Sequence, residues 1–567
     1  MAQSDFVFTL ASCVIFMGLV GLISWYKTRG TLDDKDGYFL AGRGLGAIFI
    51  AGSLLLTNLS AEQLIGLNGS AYGFNMSSMA WEVTAAVATV AMALVFLPKY
   101  LAGAFTTLPQ FLADRFDEGV RRMSVVLFML GYGLVTIPSV LYSGSIAVMQ
   151  LFDVPGLTGL DYVPALVTTV IVIGVTGAIY AVLGGLRAVA ISDTINGIGL
   201  LIIGILIPVL GLIALGGGDF ARGLATLTSD HPEKLNAIGS NTDPTPFGTI
   251  FTGMIFANLF YWCTNQYVIQ RTLGAKSLAE GQKGVLASGF FKIMVPFMMM
   301  IPGVIAFHLY GPGFATIDQA YPRLVNDLLP IWLAGFFLAV LLGAVFSSFN
   351  SLLNSAATLF ALDVYAPARG GNIDDKTLVR IAKIASVIIA LFSFAVAPLL
   401  HFAEAGLWQV IRIFTGFYNI PTIAIVIVGL FTARVPALGA KIAIVFHVVT
   451  YGLLRFVFDD VVTLHFTHQY ALLFVAEVAI MLGFGWWRPL REAWRFTARD
   501  EVDLTEWRFA KPMAITLFSC VVALYLLFSP LALASAGGVS ATFYMAGAAL
   551  VIANLVVWAL ARRKAVS

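Results

Sequence analysis

Ionisable side chains fall inside stretches that are otherwise apolar, among them Glu62, Glu82, Asp193, Lys292, Arg412 and Glu477. A charge in that setting is costly unless it is paired or meets a ligand, so each is a candidate for function. Both signs are present, which lets Glu62 or Glu82 pair with Lys292 or Arg412. Gln63, Glu82, Asn258, Tyr261, Trp262 and Lys292 together supply hydrogen-bond donors, acceptors and an apolar face, the mixture that a hydroxylated ligand needs. A purely structural polar network would use the same residue types, and composition alone leaves it open. A second patch, Ala344-Val345-Phe346-Ser347-Ser348-Phe349-Asn350-Ser351, is small and rich in hydroxyls. Sodium is a hard cation that prefers oxygen ligands. Such a patch equally marks close helix packing. It gains weight beside Leu56 to Leu59, where an interrupted helix would free carbonyls to complete a coordination shell.

The elements that position these residues are membrane helices. The chain has 567 residues, 59% hydrophobic and 11% charged, against roughly 25% charged in ordinary soluble domains. About 20 apolar residues cross a bilayer core as a helix. Runs of that kind are predicted near 6–26, 46–68, 80–98, 123–150, 163–183, 188–215, 247–265, 284–308, 330–360, 381–402, 407–432, 438–457, 469–487, 513–533 and 541–560. This is an all-α integral membrane pattern of about 14–15 transmembrane helices. The first run, with no basic residues ahead of it and no cleavage-site pattern after it, reads as a retained helix. With the N-terminus outside, most of the 33 Lys and Arg, among them Arg115 and Arg271, fall in cytoplasmic loops, which fixes the orientation and puts the C-terminus in the cytoplasm. The expected location is the cell (inner) membrane, with the lipid bilayer as surroundings.

Two runs are poor hydrocarbon: Thr57-Asn58-Leu59-Ser60-Ala61-Glu62-Gln63, and Asn258 through Gln266. Polar backbone at that depth is tolerated where it is buried in protein or lines a cavity. The two runs lie five crossings apart, so they have opposite orientations, the arrangement of a transporter with a midplane site. Polar helix–helix contacts are the competing reading.

Several functions are disfavoured. A net charge of +2 with no basic face gives a nucleic-acid partner no footprint. No HExxH, GxSxG or P-loop motif is present, so protease, hydrolase and ATP-driven pump chemistry lack their usual parts. Cys13, Cys263 and Cys520 stand in apolar runs without ligand spacing and read as small buried hydrophobes.

The blocks Phe39-Leu40-Ala41-Gly42-Arg43, Asn58 to Gln63, Asn265 to Leu273, Ala275-Lys276-Ser277 and Leu353-Asn354-Ser355-Ala356 resemble the solute:sodium symporter family, most closely bacterial sodium/galactose symporters. The resemblance runs from about Tyr38 to Phe431. It implies a LeuT-type five-plus-five inverted repeat over 46–432, preceded by a flanking helix and loop (1–45) and followed by flanking helices (433–567). It also implies a sodium site made by the carbonyls of Leu56, Leu59 and Ala344 with the hydroxyls of Ser347 and Ser348, and Asp193 near the sodium path. Solute contacts would be Gln63, Glu82, Asn258 and Lys292, with Asn58 nearby and Tyr261 as a gate.

Two positions depart from those relatives: Ala85 replaces a sugar-contacting Ser, and Arg412 replaces a Gln. Guanidinium is the preferred partner of a carboxylate or phosphate. Either a carboxylate such as Glu82 neutralises Arg412 and the solute is a neutral monosaccharide, or Arg412 binds an acidic one. The retained sugar-site positions favour the first, and a snorkelling Arg412 is the third possibility. Symport of a sugar acid, sialic acid, polyol or other organic solute is the alternative within the class.

Overall fold

The computed structural model describes residues 3–28, 35–314, 316–371, 373–402, 407–459, 461–499 and 501–563. Among the described residues the secondary structure is helical, apart from two isolated bridges, Leu45 with Ala275 and Ser277 with Asp503. Among the described residues thirteen helices are long and apolar enough to cross a membrane, and the bent pair Ala47–Asn58 with Ala61–Gly73, taken as one span, makes a fourteenth. The predicted run at 247–265 is instead a 3-10 turn, Phe247–Phe251, followed by the short apolar helix Gly253–Cys263 and a second piece, Gln266–Leu273.

Residues Tyr162–Leu215 form one unbroken helical stretch of 54 residues, which would be about 80 Å long if straight. It is not straight. Gly177 abuts Phe346 and Phe349, whereas Asn196, nineteen positions later, abuts Gly343 on the same neighbouring helix. The chain therefore turns back between them, giving the two expected crossings Tyr162–Ile179 and Leu186–Leu215.

Among the described residues the most buried crossings are Met76–Gly103, Leu278–Tyr310, Ile331–Ala368 and Phe414–Phe431, and they pack around the two broken ones. Gly303 sits directly on the backbone of Asn68, so Ala61–Gly73 approaches Ile301–Tyr310 more closely than any side chain would allow. The first helix, Val7–Thr28, leans on Ile331–Ala368 through Cys13 against Leu338 and Ala339. Ala437–Phe456 and Phe466–Trp487 pack on Leu407–Phe431. Ala541–Arg563 has no buried residue and is anchored to Ala510–Leu527 by the Trp558 indole on Thr516 Oγ1 (2.9 Å).

On the basic face, the polar segment between Trp487 and Ala510 runs as a strap across the helix ends. Its backbone amides at Leu490, Trp494, Arg499 and Trp507 donate to Arg434 O, Ala433 O, Ala102 O and Gln282 Oε1 at 2.7–2.9 Å. Beneath it lies Arg115, read from sequence as a loop residue but 2% exposed. Its guanidinium donates to the carbonyls of Gly429 (2.9 Å), Thr432 (2.9 Å) and Val435 (3.2 Å) and lies 5.2 Å from the Trp494 ring centre. It thereby satisfies orphan carbonyls at the end of Leu407–Phe431.

Arg115→Met keeps the aliphatic stem but strands those carbonyls. It is expected to destabilise the protein by about 2–4 kcal/mol. Thermal unfolding in detergent measures this, and an unchanged midpoint would contradict the capping role.

Candidate functional site between the two broken helices

The first break starts where Ala47–Asn58 ends at Leu59 (φ −86°, ψ 88°), and the next helix leaves at 59°. Ser60 restarts it, and its backbone N–H and hydroxyl both donate to Gln63 Oε1 (3.1 and 2.5 Å). The last carbonyls of Ala47–Asn58 lose their helical partners. Thr57 O accepts Ser348 Oγ (3.3 Å), and Asn58 O accepts Ser60 N (3.2 Å).

The second break is satisfied by side chains from elsewhere. The Tyr100 hydroxyl donates to Cys263 O (2.9 Å), and Leu108 N donates to Gln266 Oε1 (2.9 Å). The Tyr132 hydroxyl donates to Asn265 Oδ1 and accepts from Tyr267 N (3.3 Å). Tyr132 belongs to the π-helical turn Gly131–Thr136, which also turns Thr136 toward the Tyr418 hydroxyl (3.3 Å). Such turns tend to occur where a helix serves a site.

Between the breaks lies a cavity of about 140 Å³, in a measure by which one water needs roughly 10–15 Å³. It suits a small solute better than an ion alone. Asn58, Gln63, Glu82, Asn258, Tyr261, Trp262 and Lys292 all line it, and so does Ala85. Arg412 lies on the helix Leu407–Phe431, but its side chain is outside the described residues. The sequence reading missed Trp81, Thr415, Tyr418 and Asn419, which also line the cavity. The last three carry no charge, and their only signal is helical spacing on one face.

Two carboxylates, Glu62 and Glu82, and the Lys292 ammonium line the wall. Lys292, 1% exposed, bonds to Glu82 and stands 5.7 Å from the Trp262 ring centre. Glu82 is therefore engaged by Lys292, where the sequence had also offered it to Arg412. Asn258 Nδ2 donates to Thr84 Oγ1 (2.9 Å). An aromatic layer closes one side: Tyr261 packs edge-on to Tyr267 (5.8 Å), Tyr267 to Tyr132 (5.7 Å) and Phe260 to Tyr418 (5.5 Å).

Next to the cavity, Ala47–Asn58 packs on Ile331–Ala368, and these two helices and their ends carry the residues expected to hold sodium. Leu56, Leu59 and Ala344 are fully buried, and Ser347 Oγ is buried without a protein partner. That orphan oxygen, the Ser348 hydroxyl and the freed carbonyls are hard donors of the kind sodium takes. Asp193 lies in a network rather than alone. Ser53 Oγ donates to Asp193 Oδ2 (2.6 Å), and Arg271 donates through Nε to Ser53 Oγ (2.9 Å) and through Nη2 to Ser351 Oγ. Ser351 Oγ in turn bonds Ser347 O (2.5 Å), and the Arg271–Asp193 separation is 3.9 Å. Arg271, which the sequence reading placed in a cytoplasmic loop, is fully buried and joins the second broken helix to three other crossings. Glu477 pairs with His447 outside the cavity, and His447 Nε2 faces Gly416 O (3.0 Å).

Two interrupted helices, a small polar cavity between them and an oxygen-rich cluster alongside are the parts of an ion-coupled transporter with a midplane site. The model of the sodium:solute symporter family matches residues 38–446. The chain belongs to that family and is a sodium-coupled solute transporter, not an enzyme. It is 44% identical to an uncharacterized symporter of Escherichia coli K12, YidK, over 91% of this chain and 90% of that protein. It is 30% identical to the sodium/glucose cotransporter of Vibrio parahaemolyticus, over 75% of this chain and 81% of that one. In fold it matches a sodium-coupled sialic acid symporter solved in a substrate-bound outward-open state, with a TM-score of 0.73 at 21% identity, covering 86% of this chain and 98% of that one. The fold is accordingly the LeuT-type inverted repeat with flanking helices.

The Glu82–Lys292 pair makes a double-mutant test. Lys292→Met strands a buried carboxylate and is expected to destabilise the solute-free protein, whereas Lys292→Met with Glu82→Gln recovers much of the loss. A coupling of about 2 kcal/mol or more from unfolding midpoints is the expected result. Additive losses would show that the two groups do not interact.

Proposed function

We propose that this protein imports a neutral monosaccharide, galactose- or glucose-like, together with sodium, by alternating access around the cavity. The observation that carries this reading is the Glu82–Lys292 pair: the buried ammonium is already matched by a carboxylate of the wall, so it has no spare charge for an acidic solute, and the amides and hydroxyls around it suit a solute with many neutral donors and acceptors. The similarity to a sodium/glucose cotransporter supports the same class. Asn58, Gln63, Glu82, Asn258, Trp262 and Lys292 would contact the sugar, with Tyr261 covering it on the cytoplasmic side. Sodium would sit among the carbonyls of Leu56, Leu59 and Ala344 and the hydroxyls of Ser347 and Ser348, with Asp193 near its exit. We assign the transport core to 46–432, between flanking segments 1–45 and 433–567. We place the chain in the cell (inner) membrane with its N-terminus outside and its C-terminus in the cytoplasm, because the basic loops then face inward.

Arg412 supports a second reading, symport of a sugar acid or other anionic solute. Proteoliposomes with an inward sodium gradient decide between the two. Uptake of labelled D-galactose that potassium does not support is expected, and sodium-driven D-galacturonate uptake without galactose uptake overturns the first reading. Arg412→Gln should then lower uptake of the acid about tenfold, the scale of one lost charge-assisted hydrogen bond.

For the ion, Ser348→Ala is expected to raise the sodium concentration for half-maximal uptake by about tenfold. Because ion and solute binding are coupled, it should weaken apparent solute affinity as well. Unchanged sodium dependence would remove Ser348 from the site. For the lid, Tyr261→Phe should keep more uptake than Tyr261→Ala, since the ring supplies most of the cover. Equal losses would assign the role to the hydroxyl.

A further inference from the structure

Among the described residues lining the cavity, three buried polar atoms have no protein partner: Asn58 Oδ1, Trp262 Nε1 and Asn419 Oδ1. Buried polar groups left unpaired in a native structure call for a partner that the protein alone does not supply. Asn58 and Trp262 stand at the two helix breaks. Asn419 comes from a separate element, Leu407–Phe431.

On that helix Ile411, Thr415, Tyr418 and Asn419 all line the cavity. Their spacing of four, seven and eight residues marks one helical face. Tyr418 is committed to the Thr136 hydroxyl and to an edge-on contact with Phe260. Ile411 has nothing to donate. The Asn419 carboxamide is the amide on this face that the fold leaves unused.

We infer that Asn419 is a specificity-determining solute contact, whose carboxamide binds one hydroxyl of a neutral polyhydroxylated solute. The unpaired set itself selects that chemistry. Two carbonyl-type oxygens require donors from the solute, and an indole N–H requires an acceptor. A hydroxyl serves as either, whereas an ionised carboxylate only accepts. A carboxylate would satisfy Trp262 and leave Asn58 and Asn419 unpaired. Turned end for end, the Asn419 carboxamide donates instead of accepting, and a hydroxyl still answers it. The inference rests on the neutral-solute reading above and adds to it a residue that is not among the solute contacts the family resemblance implies.

The test uses the full chain in proteoliposomes. Wild type is assayed with D-galactose, D-glucose, myo-inositol and D-galacturonate, and the neutral solute taken up best is then compared with its singly deoxygenated analogues. Asn419→Leu is expected to raise KM for that solute about tenfold. It should leave the unfolding midpoint without solute unchanged or higher, because no protein hydrogen bond is lost. One deoxy analogue should lose as much in wild type as the mutation costs, yet lose nothing further in Asn419→Leu, since the two changes remove the same bond.

An unchanged KM in Asn419→Leu, a lowered midpoint without solute, or deoxy losses identical in mutant and wild type would each overturn the assignment. If Asn419→Leu does not fold, Asn419→Ser carries the same measurements. Wild type that takes up no neutral solute would instead overturn the functional reading, an outcome already visible before any mutant is made.

Discussion

Hydrocarbon offers no water to a backbone that has left its helix, so each peptide group at a mid-membrane break must find its partner in the protein. Among the described residues two such breaks stand beside the cavity, and several buried polar groups are spent on them. Gln63 returns to Ser60, Ser348 reaches Thr57 O, Tyr100 caps Cys263 O and Tyr132 serves Asn265 and Tyr267. Most of these partners come from crossings far away in sequence, which pulls the surrounding helices inward. The cavity is what remains once the breaks have been satisfied, and its lining is polar because the same groups face it.

The charges follow the same constraint. Glu82 and Lys292 neutralise each other in the wall, and Arg271 is held by Ser53, Ser351, Asp193 and the carbonyl of Tyr267. Ser351 touches the carbonyl of Ser347, and Ser348 both lines the cavity and bonds the first break. A movement of the first broken helix against Ile331–Ala368 therefore changes the oxygen cluster and the cavity together. Any ion held there and any solute held beside it would sense each other through these few bonds, without a longer route.

Much of this was legible in the residues. Length and apolarity place the crossings because a bilayer demands both, and the run from Thr57 to Gln63 marks a break because no lipid-facing helix carries it. Glu82 and Lys292 stood out as charges in apolar surroundings. Arg115 and Arg271 did not, because at the end of a crossing a basic residue that snorkels outward and one that folds inward onto carbonyls look the same in sequence. The strap after Trp487 was likewise hidden, since it is held largely by backbone amides, which leave no trace in side-chain type. Asn419 is neutral and single, and only a helical face seen in three dimensions sets it apart. The turn-back within Tyr162–Leu215 was anticipated by the separate runs at 163–183 and 188–215, although the helical hydrogen bonding continues between them.

The partners Glu82 and Lys292 are 210 residues apart in the chain. At ~5–20 residues per second of synthesis, about 10–40 s separate the arrival of the carboxylate from that of its ammonium. Throughout that interval the nascent chain carries an acid whose counter-charge has not yet been made. The first half of the polypeptide is therefore not a finished piece awaiting addition of the second. It is an intermediate whose Glu82 lacks its mature partner until the helix that carries Lys292 is inserted.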